Sequence, residues 1–163
     1  AIMVTTSESL ANAVSDEVER QLKLLPRESI ARPAIENNSY IAIMDSIEDM
    51  FTVMNEVAPE HLEIQLPDPM NYMSLVQNAG SVFLGAYASE PLGDYVGGTN
   101  HVLPTSGTAR FSSPLGVYDF VKRTSFTQFT KERLEEVAKH ITTLARTEGL
   151  EAHARAIEVR FEK

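Results

Sequence analysis

The chemistry available to this chain is concentrated around its histidines, of which there are four in 163 residues. In Pro59-Glu60-His61-Leu62 a carboxylate and an imidazole are adjacent. Such a pair can run general acid–base chemistry near neutral pH. Neighbours on a regular strand point to opposite faces. Both can therefore serve one site only at a strand end or turn, which Pro59 makes available. The plain alternative is a surface Glu–His pair. The segment Gly93-Asp94-Tyr95-Val96-Gly97-Gly98-Thr99-Asn100-His101 offers a hard oxygen donor and an imidazole, a combination suited to zinc or manganese. Its glycines let backbone approach a ligand closely. The Gly-x-Gly-x-x-Gly spacing of a dinucleotide-binding turn is absent, as is the Gly-Lys-Ser/Thr of a phosphate loop. Here the alternative is a turn-rich loop with a capping aspartate. Glu148 and His153, on either side of Gly149, could form a second acid–imidazole cluster at a helix start; a solvated terminal histidine is the alternative. His140 lies beside Lys139 on a charged helix face and reads as structural. Arg110, Lys122 and Arg123 could meet an anionic group or stay in solvent.

The elements that must hold these residues follow an alternating pattern. Ala1–Thr5 reads as a buried strand. Thr5 and Glu8 have capping-box spacing before a helix over 8–25 with Leu10, Val14, Val18, Leu22 and Leu25 on one stripe. Pro26 ends it, and Pro33 limits any helix in the next stretch. Tyr40–Met44 is a second strand. Asp45 caps a helix carrying Ile47, Met50, Phe51, Met54 and Val57, stopped by Pro59. His61–Leu66 is a third strand, and Pro67-Asp68-Pro69 opens a helix with Met73, Val76 and Gln77. Gly80 ends that helix before a fourth strand, Ser81–Leu84. The methionines at 44, 50, 54, 70 and 73 read as core packing. Strand–helix–strand repetition with short connections predicts a parallel α/β sheet.

The rhythm breaks at 85–116, which holds six of the eight glycines. A long glycine-rich loop inside a compact domain is functional or disordered, and its His, Asp, Asn, Arg and Tyr content favours function. Thr124–Phe129 then alternates like an exposed strand. Thr130 caps a long helix with Leu134, Val137, Ala138, Ile141, Leu144 and Ala145 on one stripe. Gly149 breaks it, and a short helix covers 150–159. These tail helices have a narrow apolar face, suited to packing on another body.

Composition narrows the function classes. With 14 Lys+Arg against 23 Asp+Glu, the net charge is −9, which argues against nucleic-acid binding. Apolar residues make up 43 %, enough for a core, and no apolar run approaches a membrane span. The absence of Cys removes disulfides, thiolate metal sites and cysteine nucleophiles. A cytoplasmic protein is the default. The chain opens on a core strand, so further residues are expected upstream.

Three blocks of sequence together resemble histidinol dehydrogenase. They are Ala58-Pro59-Glu60-His61-Leu62, the loop from Gly93-Asp94-Tyr95 through Gly98-Thr99-Asn100-His101-Val102-Leu103-Pro104-Thr105 to Asp119-Phe120-Val121-Lys122-Arg123, and Glu148-Gly149-Leu150 with Ala152-His153. The resemblance runs along the whole chain and fits the C-terminal part of that longer family. It implies a zinc-dependent homodimer that oxidises L-histidinol to L-histidine through a bound histidinaldehyde, with two NAD. It further implies that His61 is the general base for the alcohol and that Glu60 activates water in the second half-reaction. Asp94 and His153 would be zinc ligands, His153 reaching the partner's site, with Glu148 binding substrate and His101 lining the site. The family's other zinc ligands, its NAD contacts and a substrate-binding Ser would lie before Ala1. The chain alone should then be inactive and bind zinc weakly.

The expected fold is an incomplete Rossmann-like half-domain over 1–115, including the loop 85–113, and a strand and helical tail over 116–163 for dimer contact. Two other readings remain. One is a catalytically silent fragment acting only in dimerisation. The other is a metal-dependent hydrolase using Glu60, Asp94 and His101, which leaves Asn100–Thr105 and the downstream block unexplained.

Overall fold

The computed structural model describes residues 1–162. Helices alternate with short parallel strands, followed by a helical C-terminal region. The chain divides into two compact units, Ala1–Phe120 and Val121–Lys163.

In the first unit, strand β1 (Ile2–Thr5) pairs in parallel with β2 (Tyr40–Ile43), and β3 (His61–Ile64) pairs in parallel with β4 (Ser81–Leu84). The α/β class and the parallel pairing agree with the sequence pattern. Among the described residues, however, the strands form two pairs rather than one sheet. The β1 strand is less buried than its continuous apolar run suggests, with Ile2 43 % exposed. The reason is that β1 and β3 each pair on one side only. Both line a groove of about 940 Å³, whose walls also include Leu10, Val14, Met50, Phe51 and Met54.

Helix α1 (Glu8–Leu22) starts at Glu8 as expected and ends three residues before Leu25, but its cap differs. Ser7, not Thr5, caps it, its hydroxyl accepting from Leu10 N at 3.2 Å, while Thr5 Oγ1 accepts from Ser7 N. Helix α2 (Glu28–Asn38) runs straight through Pro33, which the sequence reading took as a limit. Compensation comes from Arg32, whose guanidinium donates to Glu28, one turn back, and to Glu19 of α1 at 2.7 and 2.9 Å. That network ties α2 to α1 where the proline removes a backbone donor. It also holds the Glu19 carboxyl below its usual range, through hydrogen bonds from Arg32 first and Lys23 second.

Helix α3 (Ile47–Val57) is capped by Ser46, whose Oγ accepts from Asp49 N at 3.1 Å, and not by Asp45. It ends at Ala58, which takes a left-handed φ of 50° and is 1 % exposed. The core lies here: Phe51 and Met54 of α3 pack against Leu62 and Ile64 of β3. Phe51 also stacks on Tyr72, with ring centroids 6.0 Å apart. Asn55 locks α3 to the approach to β4. Its Oδ1 accepts from Gln77 N and Asn78 N, and its Nδ2 donates to Leu75 O. This diverts the chain before Val76, so the helix expected there is a 3-10 helix over Pro69–Leu75 without Val76 or Gln77. Met54 is buried as expected, whereas Met70 is 68 % exposed.

The glycine-rich stretch is not wholly loop. It contains the short helix α4 (Glu90–Tyr95) and a 3-10 turn, Thr108–Arg110, and a second turn, Val117–Phe120, follows it. Arg110 is exposed, and its guanidinium donates to the carbonyls of Gly107 and Glu56.

In the second unit no strand forms over 124–129 among the described residues, although the alternation is present. A strand needs a partner ladder, and this segment has none; Phe126 is 93 % exposed. Helix α5 (Lys131–Thr147) begins at Thr130, whose hydroxyl accepts from Arg133 N. Gly149, at φ 76°, turns the chain into α6 (Glu151–Glu158). The two helices pack through small side chains, Ala145 and Ala154, and Arg146 bridges to Glu151 and Glu158 at 2.9 and 2.8 Å. Leu144 and Leu150 remain exposed.

Candidate functional site

The side-chain alternation of β3 sets up the site. Leu62 and Ile64 point into the core, so His61 and Glu63 share the opposite face. Glu63 is in register with Phe83 of β4, and the Phe83 ring lies 6.1 Å from the His61 ring, tilted by 36°. Glu60 stands just before the strand, its carbonyl accepting from Ser81 N at 2.8 Å. It is thus at a strand end, where the opposite-face rule does not bind it.

Helix α4 lies over this face. It places Glu90 and Asp94 one turn apart, and their carboxylates join His61 in a cluster whose ligand atoms all lie within 4.8 Å of one another. His61 Nε2 is 3.9 Å from Glu90 Oε1. His61 and Glu90 are half-buried, while Asp94 is exposed. Withdrawal from water first, and then the neighbouring Asp94, hold the Glu90 carboxyl above its usual 4.5, against the pull of His61.

A carboxyl raised in the fold favours its protonated form. Its contribution to stability is complete below 4.5 and is lost as pH rises through the raised value. Glu90→Gln should therefore raise the Tm at pH 7.5, with no gain below about pH 4. Calorimetry at both pH values checks this, and an equal Tm at pH 7.5 contradicts a disfavoured Glu90 carboxylate.

The donor set fits a borderline cation. Imidazole and carboxylate oxygens are zinc ligands, and a tetrahedral cation with bonds of about 2 Å draws its donors to roughly 3.3 Å. Side-chain rotation at the exposed Asp94 can close that gap.

Among the described residues, the His61–Glu90–Asp94 cluster includes none of the other sequence-predicted residues. His101 is on an exposed loop, next to Asn100, whose Oδ1 accepts from Val102 N and whose Nδ2 donates to Leu115 O. Among the described residues, it belongs to no metal-ligand cluster. Glu148 ends α5, and His153 sits in the first turn of α6; both are exposed residues of the second unit.

Comparison with known proteins gives the family. The profile described as histidinol dehydrogenase matches residues 1–161. The chain belongs to the histidinol dehydrogenase family. It is 67 % identical to the histidinol dehydrogenase of Lactiplantibacillus plantarum over 161 residues, covering 99 % of this chain and 38 % of that protein. It is 60 % identical to that of Streptococcus mutans over 163 residues, covering all of this chain and 38 % of the relative. A crystal structure of histidinol dehydrogenase from Elizabethkingia anophelis superposes with a TM-score of 0.78 at 40 % identity, covering 99 % of this chain and 37 % of that one. The chain thus spans about two fifths of the length of these relatives.

For a histidinol dehydrogenase chain, the residue that sequence reasoning missed is Glu90. Ser89-Glu90-Pro91 is a helix-start signal, with a capping residue before an acidic residue and an early proline. The surrounding glycines hid it, because Gly93 reads as a breaker. Gly93 is needed for another reason: a Cβ there would sit 2.8 Å from Phe83 Cζ.

Proposed function

We propose that this chain is the C-terminal portion of a cytoplasmic histidinol dehydrogenase, oxidising L-histidinol to L-histidine through histidinaldehyde with two NAD, in histidine biosynthesis. One observation carries the reading: within a chain of this family, α4 brings Glu90 and Asp94 to His61 on one face of β3. No helix among the described residues is long and apolar enough to cross a membrane.

His61 is the general base. Half-buried beside Phe83, its imidazole Nε2 stands 3.9 Å from Glu90 Oε1, at the mouth of the cluster where an alcohol proton would be handed over. It takes the alcohol proton as hydride leaves the carbinol carbon. Glu60 takes a proton from the water that adds to the aldehyde, and a second hydride then leaves the resulting hydrate. Asp94 and, from the tail of a second copy, His153 would hold zinc together with ligands outside this chain; Glu148 and His101 would contact the substrate. When bound, zinc orients and polarises histidinol, and NAD accepts the two hydrides. Contacts to NAD belong mostly to the rest of the enzyme.

The two strand pairs are halves of one Rossmann-like sheet. The groove between the free edges of β1 and β3 is apolar and built for an extended segment, which the remaining length of the enzyme supplies. The exposed Leu144 and Leu150 of the tail face a second copy in a homodimer.

The test is histidinol-dependent NADH formation by the complete protein with zinc. Two NADH per histidinol are expected, and none from the 163-residue chain alone. A folded, zinc-loaded complete protein that forms no NADH refutes the substrate assignment. Turnover by the isolated chain refutes the dependence on the remainder.

A further inference from the structure

We infer that Glu63 is a positioning residue whose carboxylate seats α4 on β3 and so sets Glu90 and Asp94 opposite His61; this rests on the proposed reading of Asp94 as a zinc ligand and His61 as the base. Helix α4 has six residues, too few to hold its own conformation. Its capping residue, Ser89, makes no side-chain hydrogen bond to it. The bond comes instead from the β3 face beneath it, where Glu63 Oε1 accepts from Glu90 N at 3.0 Å. The other carboxylate oxygen, Oε2, accepts from Gln65 Nε2 at 3.1 Å, which holds the acceptor in place. A carboxylate is also the favoured partner for free amides at a helix start.

A second contact fixes the rotation of the helix. The Gly93 backbone lies so close to Phe83 that any Cβ would strike the ring. Phe83 is the register partner of Glu63. One rung of the β3–β4 ladder therefore holds α4 at two points, and His61 stands two residues before Glu63 on the same face. The charge of Glu63 is unfavourable in itself, since it adds to the forces raising the Glu90 carboxyl. What the site uses is the acceptor and its reach, and a neutral acceptor of equal length should serve.

Three variants of the complete protein separate these properties: Glu63→Gln keeps the reach without the charge, Glu63→Asp keeps the charge without the reach, and Glu63→Ala removes both. The readouts are hydrogen exchange at the Glu90 amide, cobalt(II) titration followed by visible absorption, and Tm. In Glu63→Ala and Glu63→Asp the Glu90 amide should exchange at least about tenfold faster, and cobalt should bind about 10–100-fold more weakly, the usual cost of losing support behind a ligand. In Glu63→Gln both should stay within about threefold of the parent, with Tm nearly constant throughout. Unchanged exchange in Glu63→Asp, or a Glu63→Gln variant as impaired as Glu63→Ala, overturns the assignment. A complete parent protein that takes up no cobalt overturns the metal reading instead, and the exchange data still decide whether Glu63 seats the helix.

Discussion

Glu60→Gln in the complete enzyme is expected to stop oxidation half-way, giving one NADH per histidinol instead of two. The first hydride transfer needs a base for the alcohol proton, a role proposed for His61 and untouched by this change. The second needs a base for water, and glutamine cannot accept that proton. General-base removal costs about 10²–10⁴-fold in rate. The aldehyde step should fall by that factor while the alcohol step stays within about tenfold. His61→Asn should give the complementary pattern, with the first NADH slowed by about 10²–10⁴-fold. Rapid-quench counting of NADH from histidinol, and separately from histidinaldehyde, distinguishes the two. A Glu60→Gln enzyme that forms two NADH at the parent's rate contradicts the assignment. The position of Glu60 makes the division physically reasonable. It precedes β3, whereas His61 is its first residue, so the two side chains are not bound to the same direction.

Phe51→Ala should cost about 3–5 kcal/mol, the range for emptying a buried aromatic position. Phe51 is 6 % exposed, belongs to the cluster with Met54, Leu62 and Ile64, and stacks on Tyr72. Few alternatives could refill that space, because the two strand pairs meet no further strand among the described residues. A loss of that size is a large fraction of the roughly 5–15 kcal/mol available to a domain. The site should fail with it, since Leu62 and Ile64 are the reverse face of the strand that presents His61 and Glu63. Met70→Ala, at a position 68 % exposed, should change stability by less than about 0.5 kcal/mol. Urea denaturation followed by circular dichroism compares the two. Equal midpoints would mean that the core lies elsewhere.

Local signals served the sequence reading well where one element decides its own state. The stripe from Leu134 to Ala145 gave α5, Thr130 gave its cap, and Gly149 gave its end, because hydrophobic periodicity and capping act within a few residues. Ser81–Leu84 was placed to the residue, between Gly80 and Gly85. Local signals failed where a distant group intervened. Pro33 did not break α2, because Arg32 draws carboxylates from two helices around it. Thr124–Phe129 alternates like a strand yet forms none, because alternation cannot supply a ladder.

The sequence by itself determined the residue types that can do chemistry and the family in which they occur. Glu60-His61 and Asp94 are visible as donors and acceptors wherever they stand, and three separated blocks specify the family more tightly than any one of them. Only the tertiary structure decided which of these groups meet. His61 and Asp94 are 33 residues apart in sequence; the β3–β4 pairing brings α4 back over His61, and the close fit of Gly93 on Phe83 brings Glu90 with it. A periodic pattern records which face of an element is apolar. It does not record which other element's backbone will fit that face within a fraction of an ångström, and for Glu90 that fit is what creates the site.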